Sequence, residues 1–276
     1  MCNHVRMSDG GRPSFDDPPV QATLLTVYFE PITQFDLTFI LPLQQLWAEA
    51  YPALNQTPPR NRPPSMPEVD ITSLGTNWPM PGTEQGDIAS GRTLSYQADQ
   101  ISLSWGADSD LPDLKYPGFE AIFSELTSRF DEFVEQVESM AEPVVVHGVR
   151  CAYENYLEDI PGVDYIAQYL SGFAGGVASN RRMDQSRYVG FRFNKDPDVS
   201  DDGSEINVAV QLDSRRGSVT TLDIEVYATP AHNSPIDGGD PREAASQLMR
   251  DAHVALIDTF LESTSHDMQQ SWGKRS

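Results

Sequence analysis

Residues able to act as acids, bases, nucleophiles or metal ligands are sparse in this chain. The histidines, His4, His147, His232, His253 and His266, are scattered. Neither CxxC nor HExxH occurs, the spacings that would present zinc ligands together on one turn or helix face. The one local pairing of a nucleophile with a base is Cys151 with His147. On one strand, four residues apart, their side chains share a face but their backbones stand about 13 Å apart, beyond direct proton transfer. Cys151 therefore reads as a small buried residue and His147 as a residue near a strand entrance. Nucleotide-binding turns of the GxGxxG or GxxxxGK[ST] type are absent, and Gly172, Gly175 and Gly176 follow a predicted helix as its cap and loop. No catalytic residue, cofactor or metal site is predicted, and the reading leans away from an enzyme.

Six residues stand out as candidates for binding or packing: Tyr153, Asn155, His253, Trp272, Arg181 and Arg182. Asn155, directly after a buried strand, either positions a ligand or satisfies loop backbone groups, and the second is expected. His253 lies near the edge of a helical apolar stripe beside Asp251 and Asp258, where packing or solvation is expected rather than general-base work. Trp272, at the end of a polar tail, must bury itself on this chain or on a partner, and its own chain is the expectation. Arg181 and Arg182 open the densest basic run, which ends at Arg216. Six arginines and Lys195 there face seven carboxylates, so the run is formally neutral.

Over the whole chain 41 acidic residues face 19 basic ones, a net charge of -22. Such a field repels nucleic acid and anionic membranes, so neither is expected as a partner. Lysine occurs only at Lys115, Lys195 and Lys274, a bias attributed to a GC-rich genome. Cys2 and Cys151 cannot build a disulfide framework. The polar stretch from Met1 to Pro19, with Asp16 and Asp17, lacks the apolar core of a signal peptide and reads as a flexible tail. A cytoplasmic location is expected.

The elements that position these residues follow from periodicity. Ala22 to Glu30 reads as a well-buried strand, and Asp36 caps a helix from Leu37 to about Tyr51 with Pro42 inside it. Pro52 to Gly91, rich in proline, reads as a long exposed excursion without regular core elements. Thr93 to Trp105 reads as a hairpin turning near Asp99. Gly118 to Met140 places Phe119, Ile122, Phe123, Leu126, Phe130, Phe133, Val134 and Val137 on one helical face, with a sheet as the expected cover. A strand from Val144 to Leu157 and a short helix from Val163 to Phe173 follow. Three strands come next, over Arg187 to Phe193, Ile206 to Leu212 and Thr221 to Ala228. Pro241 then opens a last helix running to about Leu261.

The order strand, helix, strands, long helix occurs twice. The predicted fold is α+β in two related halves, 20–142 and 143–276, each a curved antiparallel sheet covered by a long helix.

Tyr51-Pro52, the strand ending at Trp105, Tyr116-Pro117-Gly118-Phe119, Cys151-Ala152-Tyr153-Glu154-Asn155, and the last helix with His253, Phe260, Thr264 and Trp272-Gly273 together resemble a sporadically distributed bacterial family without an established activity. The resemblance runs from about Pro18 to Gly273 and is weakest over Pro52 to Gly91. It implies an accessory protein encoded beside its partner, and it carries no catalytic residues over to this chain.

Two functions follow as expectations. One is a non-catalytic acidic interaction protein that binds a protein partner, one with a basic surface being the natural complement. The other is a small-molecule binder or enzyme using a cavity between sheet and long helix, lined by Phe123, Phe130, Tyr153 and Phe191.

Overall fold

The computed structural model describes residues 14–64, 66, 81–107, 114–140, 142–157, 188–200, 203–215, 219–230 and 239–275. The predicted helix over 163–173, the glycines at 172, 175 and 176, and both Arg181 and Arg182 lie outside them.

The chain is an α+β protein dominated by antiparallel strands. Its described elements are β1 (Ser14–Phe15), β2 (Val20–Phe29), α1 (Leu37–Trp47), β3 (Ala53–Thr57), β4 (Gly82–Asp87), β5 (Arg92–Gln97), β6 (Gln100–Gly106), α2 (Phe119–Glu138), β7 (Val146–Leu157), β8 (Tyr188–Asn194), β9 (Asp198–Val199), β10 (Glu205–Arg215), β11 (Thr220–Thr229), α3 (Pro241–Ser263), α4 (His266–Ser271) and β12 (Lys274–Arg275). Ten of the strands form one sheet in the order β3-β4-β5-β6-β2-β7-β11-β10-β8, with β9 also on β10.

The expected pair of separate sheets is therefore a single sheet. β2 and β7 hydrogen-bond along nearly their whole length, from Val20 opposite Asn155 to Phe29 opposite Val146. Both are apolar on the face that meets the helices, and pairing them gives each a partner on both sides. One continuous core, from Leu25 to Met268, spans the two segments.

Alternation along the strands sorts the residues onto two faces. On one face, Leu94, Leu103, Leu25, Cys151, Val226 and Val208 run side by side across six strands, and Tyr96, Ile101, Val27, Val149, Ala228 and Ile206 form a second row. Helix α2 packs on β6 and β2 here, and α3 packs on β7, β11 and β10. Phe133 is fully buried against Phe29 and Phe39, with ring centroids 5.1 Å and 5.4 Å away, and Phe130 stacks on Phe29. Burying each such ring contributes about 1.5–3 kcal/mol.

The helix ends follow their local chemistry. Asp36 accepts hydrogen bonds from the Thr38 and Phe39 amides at 2.8 Å and 3.2 Å, satisfying two otherwise orphaned donors at the start of α1. Asp240 does the same for Arg242 at 3.0 Å, with Pro241 in the first turn of α3. Arg242 also reaches Asp131 and Glu138, tying the start of α3 to α2.

Two further sequence expectations are corrected. The proline-rich stretch is not wholly outside the sheet, because β3 and β4 lie within it and form one edge. Both strands are short and polar, so they lack the apolar alternation that marks inner strands. Residues 14–19 are likewise not a free tail: β1 pairs with β12, and the Asp16 and Asp17 amides donate to the Gly273 and Trp272 carbonyls at 3.3 Å and 3.2 Å. Phe15 and Trp272 then close over Phe260, at 5.7 Å and 5.5 Å.

Candidate functional site

The side of the sheet away from α2 and α3 has a different character. Its rows read Ser95, Ser102, Thr26, Arg150, Tyr227, Asn207; then Thr93, Ser104, Leu24, Ala152, Glu225, Ala209; then Ala22, Glu154, Asp223, Gln211, Arg192. A groove of about 1600 Å³ opens on this side, at the end where β2 begins and β7 finishes. Its floor includes Leu24, Ala152, Arg150, Glu154, Asp223 and Glu225. Exposed apolar side chains stand on its rim, Ile88 at 72% accessible and Val219 at 40%.

The charges of the floor are unevenly satisfied. Glu225 accepts from Arg150 at 2.6 Å and from the Tyr227 hydroxyl at 2.7 Å, with Arg192 3.8 Å away. The Arg150 guanidinium also lies over the Tyr227 ring, 5.8 Å from its centroid. Glu154 and Asp223 sit directly opposite each other on β7 and β11, and like charges so placed repel. Asp223 Oδ1 is shielded from solvent without a hydrogen-bond partner. Burial, then the neighbouring Glu154, Asp213 and Glu225 carboxylates, push the Asp223 carboxyl up to about 6.

A second polar assembly lies at the opposite end of β2 and β7. Residues 58–64 and Met66 cross the sheet there, and Arg62 inserts between strand ends. Its guanidinium donates to Asp99 Oδ2 at 2.8 Å, to the Phe29 carbonyl, and to the Asp99 carbonyl at 3.2 Å. It also meets His147 Nδ1 at 2.8 Å. The Arg62 and Asp99 side chains are only 4% and 2% accessible. Gln97 donates to Asp99 Oδ1 at 2.7 Å and clasps the Arg60 backbone from both sides, at 2.8 Å and 2.9 Å. His147 Nε2 meets Glu30 at 2.8 Å. Burial and the Arg62 guanidinium hold His147 below the usual imidazole range, while Glu30 and Asp99 oppose that shift.

The sequence-predicted residues are placed as follows. Tyr153 is buried and shares a 2.7 Å hydroxyl contact with Tyr116. Asn155 is 1% accessible and donates to the Leu222 carbonyl at 2.9 Å, a carbonyl within β11 and not the loop backbone expected of it. His253 stacks on Phe119, with centroids 3.6 Å apart and rings nearly parallel at 2°. Trp272 packs on its own chain. Tyr153 and His253 are neighbours at 6.1 Å, whereas Asn155 and Trp272 are held in separate contacts.

Cys151 is fully buried, and burial alone pushes its thiol far above the usual range, so it is no nucleophile in the folded chain. Phe123 and Phe130 are spent in packing, and the void beside them between α2, α3 and β2 measures about 10 Å³. Among the described residues no group of three or more histidine, cysteine or carboxylate side chains is placed to hold a metal ion. Nor is any described helix long and apolar enough to cross a membrane.

Sequence reading missed Arg62, Asp99, Arg150, Glu154, Asp223 and Glu225. For the last four a signal existed: Arg150 and Glu154 share one side of 144–157, four residues apart, and Asp223 and Glu225 share one side of 221–228, two residues apart, each opposite an apolar side. Arg62 offered none, being one arginine among prolines. No protein-family model matches this chain, and no curated protein sequence matches it either.

Proposed function

We propose that this chain is a non-catalytic interaction protein whose open sheet face receives a segment of a protein partner carrying basic residues. The observation that carries this reading is the groove. At about 1600 Å³ it exceeds the roughly 300–1,000 Å³ of small-molecule pockets. Its floor combines carboxylates with an apolar patch at Leu24 and Ala152, and Ile88 and Val219 offer apolar anchors at the rim. The chain's charge of -22 adds long-range attraction for a cationic surface. The resemblance to a bacterial family of accessory proteins supports the same reading, with a partner encoded beside this chain and a cytoplasmic location.

Pull-down with the products of neighbouring genes, at low and at high salt, tests the reading. The expected result is one partner whose capture falls as salt rises. Replacing Glu154 and Asp223 together by lysine should weaken that capture at least about tenfold, equivalent to about 1.4 kcal/mol. Capture of no neighbour at moderate salt would overturn the proposal.

The scaffold reads as an internal duplication. Walking outward from the central pair, β2-β6-β5-β4 is matched by β7-β11-β10-β8, and a long helix follows β6 and β11 alike. The pairing of β1 with β12 brings the two ends of the described chain together. A circular permutant starting at Val144 and ending at Met140 should therefore fold with the halves exchanged in order. Its failure to fold would count against two equivalent halves.

A further inference from the structure

The Arg62 assembly has the construction of a latch. Residues 58–64 and Met66 form a strap across one end of the sheet. Arg62 is its bolt, while Met66 is 5% accessible and forms a small apolar cluster of its own with Tyr28 and Tyr227. The fit is tight, since a Cβ added at Gly148 would stand 2.7 Å from the Ala228 carbonyl and 2.9 Å from Met66 Sδ. Tyr227 is also the ring beneath Arg150, which lines the groove, so the strap covers surface continuous with the groove floor.

His147 decides whether the bolt fits. A guanidinium has only donors, so its 2.8 Å contact with Nδ1 requires that nitrogen to be an acceptor. The imidazole is then neutral, with its proton on Nε2 facing Glu30. Adding a second proton turns Nδ1 into a donor and sets two donors and two positive charges against each other.

The charged groups that face the ring are Arg62 from the strap, Glu30 from the end of β2 and Asp99 from the β5–β6 turn. Glu30 favours the protonated ring, but its side chain is 60% accessible and water screens it. Asp99 is already engaged by Arg62 and Gln97. The direct clash with Arg62 is therefore the term that protonation must relieve. The strap supplies the relief, because Arg62 can leave with it whereas His147 is fixed in β7.

We infer that residues 58–64 with Met66 are a strap latched by Arg62 and released by protonation of His147, uncovering Tyr28 and Tyr227 beside the groove. The benefit to partner binding rests on the proposed function, but the release itself does not.

Methionine labelled with ¹³C at the methyl tests it in the full chain without any partner. At neutral pH the Met66 methyl should carry a ring-current shift from Tyr28 and Tyr227. As pH falls below that of a free imidazole it should move to the shift of an exposed methionine, while Met249 and Met268, buried in the main core, stay in place. The transition should vanish in His147→Gln. In Glu30→Gln, an exposed and tolerated change, it should move to lower pH. The inference is overturned if Met66 stays shifted at mildly acidic pH in the folded protein. A concerted move of all three methyls would overturn it as well. A groove without a partner would leave these signals unaffected, so the two proposals fail separately.

Discussion

The two faces of the sheet are made from the same strands, residue by residue, yet they serve different ends. Odd-numbered residues of β7, such as Val149, Cys151 and Tyr153, are buried beneath α3. The intervening Arg150 and Glu154 face the groove with part of their surface in water. Among the described residues the helix face is close-packed, with a void of only about 10 Å³ beside Phe123 and Phe130, whereas the open face tolerates charge repulsion that a core would not. The groove thus lies on the face that contributes less to the core.

The largest test of this contrast is on the helix face. Phe133→Ala removes a fully buried ring wedged between Phe29 and Phe39 and should cost about 4 kcal/mol in denaturant unfolding. A cost near zero would mean that this face is not the core.

Next is Arg62→Ala, which strands Asp99 in the β5–β6 turn, buried with its cation gone. Equilibrium unfolding should show a loss of about 3 kcal/mol, and Asp99→Asn should cost less because the strap can lift and return Arg62 to water.

On the open face the sign reverses. Asp223→Asn relieves the opposition with Glu154 and should stabilise the chain at neutral pH by about 1 kcal/mol once water screening is allowed for.

The pH dependence separates the two polar assemblies. The Asp223 carboxyl binds its proton more readily in the folded chain, at about 6 against 3.8 in the unfolded chain. Its contribution to stability is complete below the unfolded value and is lost as pH rises through about 6. His147 has the opposite sign. Its folded value is lowered, so its contribution is present above the ordinary imidazole range and is lost as pH falls through the folded value. Thermal melts across this range should show the low-pH gain disappear in Asp223→Asn and the low-pH loss shrink in His147→Gln.

The smallest expected effect concerns reactivity. In a Cys2→Ser background, Cys151 should not react with a thiol reagent until the protein unfolds, because its thiol is buried and its ionisation suppressed. Rapid labelling of the native chain would show that the helix face opens.

Local pattern made much of this molecule legible. The alternation at 206–212 and 221–228, the three-and-four spacing from Phe119 to Val137, the Asp36 cap and Pro241 each name an element from its own residues, because burial on one side imposes a period that the neighbours must obey. The packing of Trp272 on its own chain was likewise readable from residue chemistry.

What could not be read arises between distant segments. β2 and β7 are separated by more than a hundred residues, and nothing in either announces that they pair rather than close two sheets. β3 and β4 carry polar residues because they form an edge, which erases the period that would reveal them. Arg62 meets Asp99 and His147 across separations of 37 and 85 residues, so the chemistry of His147 belongs to the fold rather than to its own strand. The amino-acid order determined which stretches bury a face. Which charges meet on the exposed face, and which single arginine is drawn inside, followed only once the strands had been brought side by side, because a contact between far segments depends on the geometry of everything packed between them.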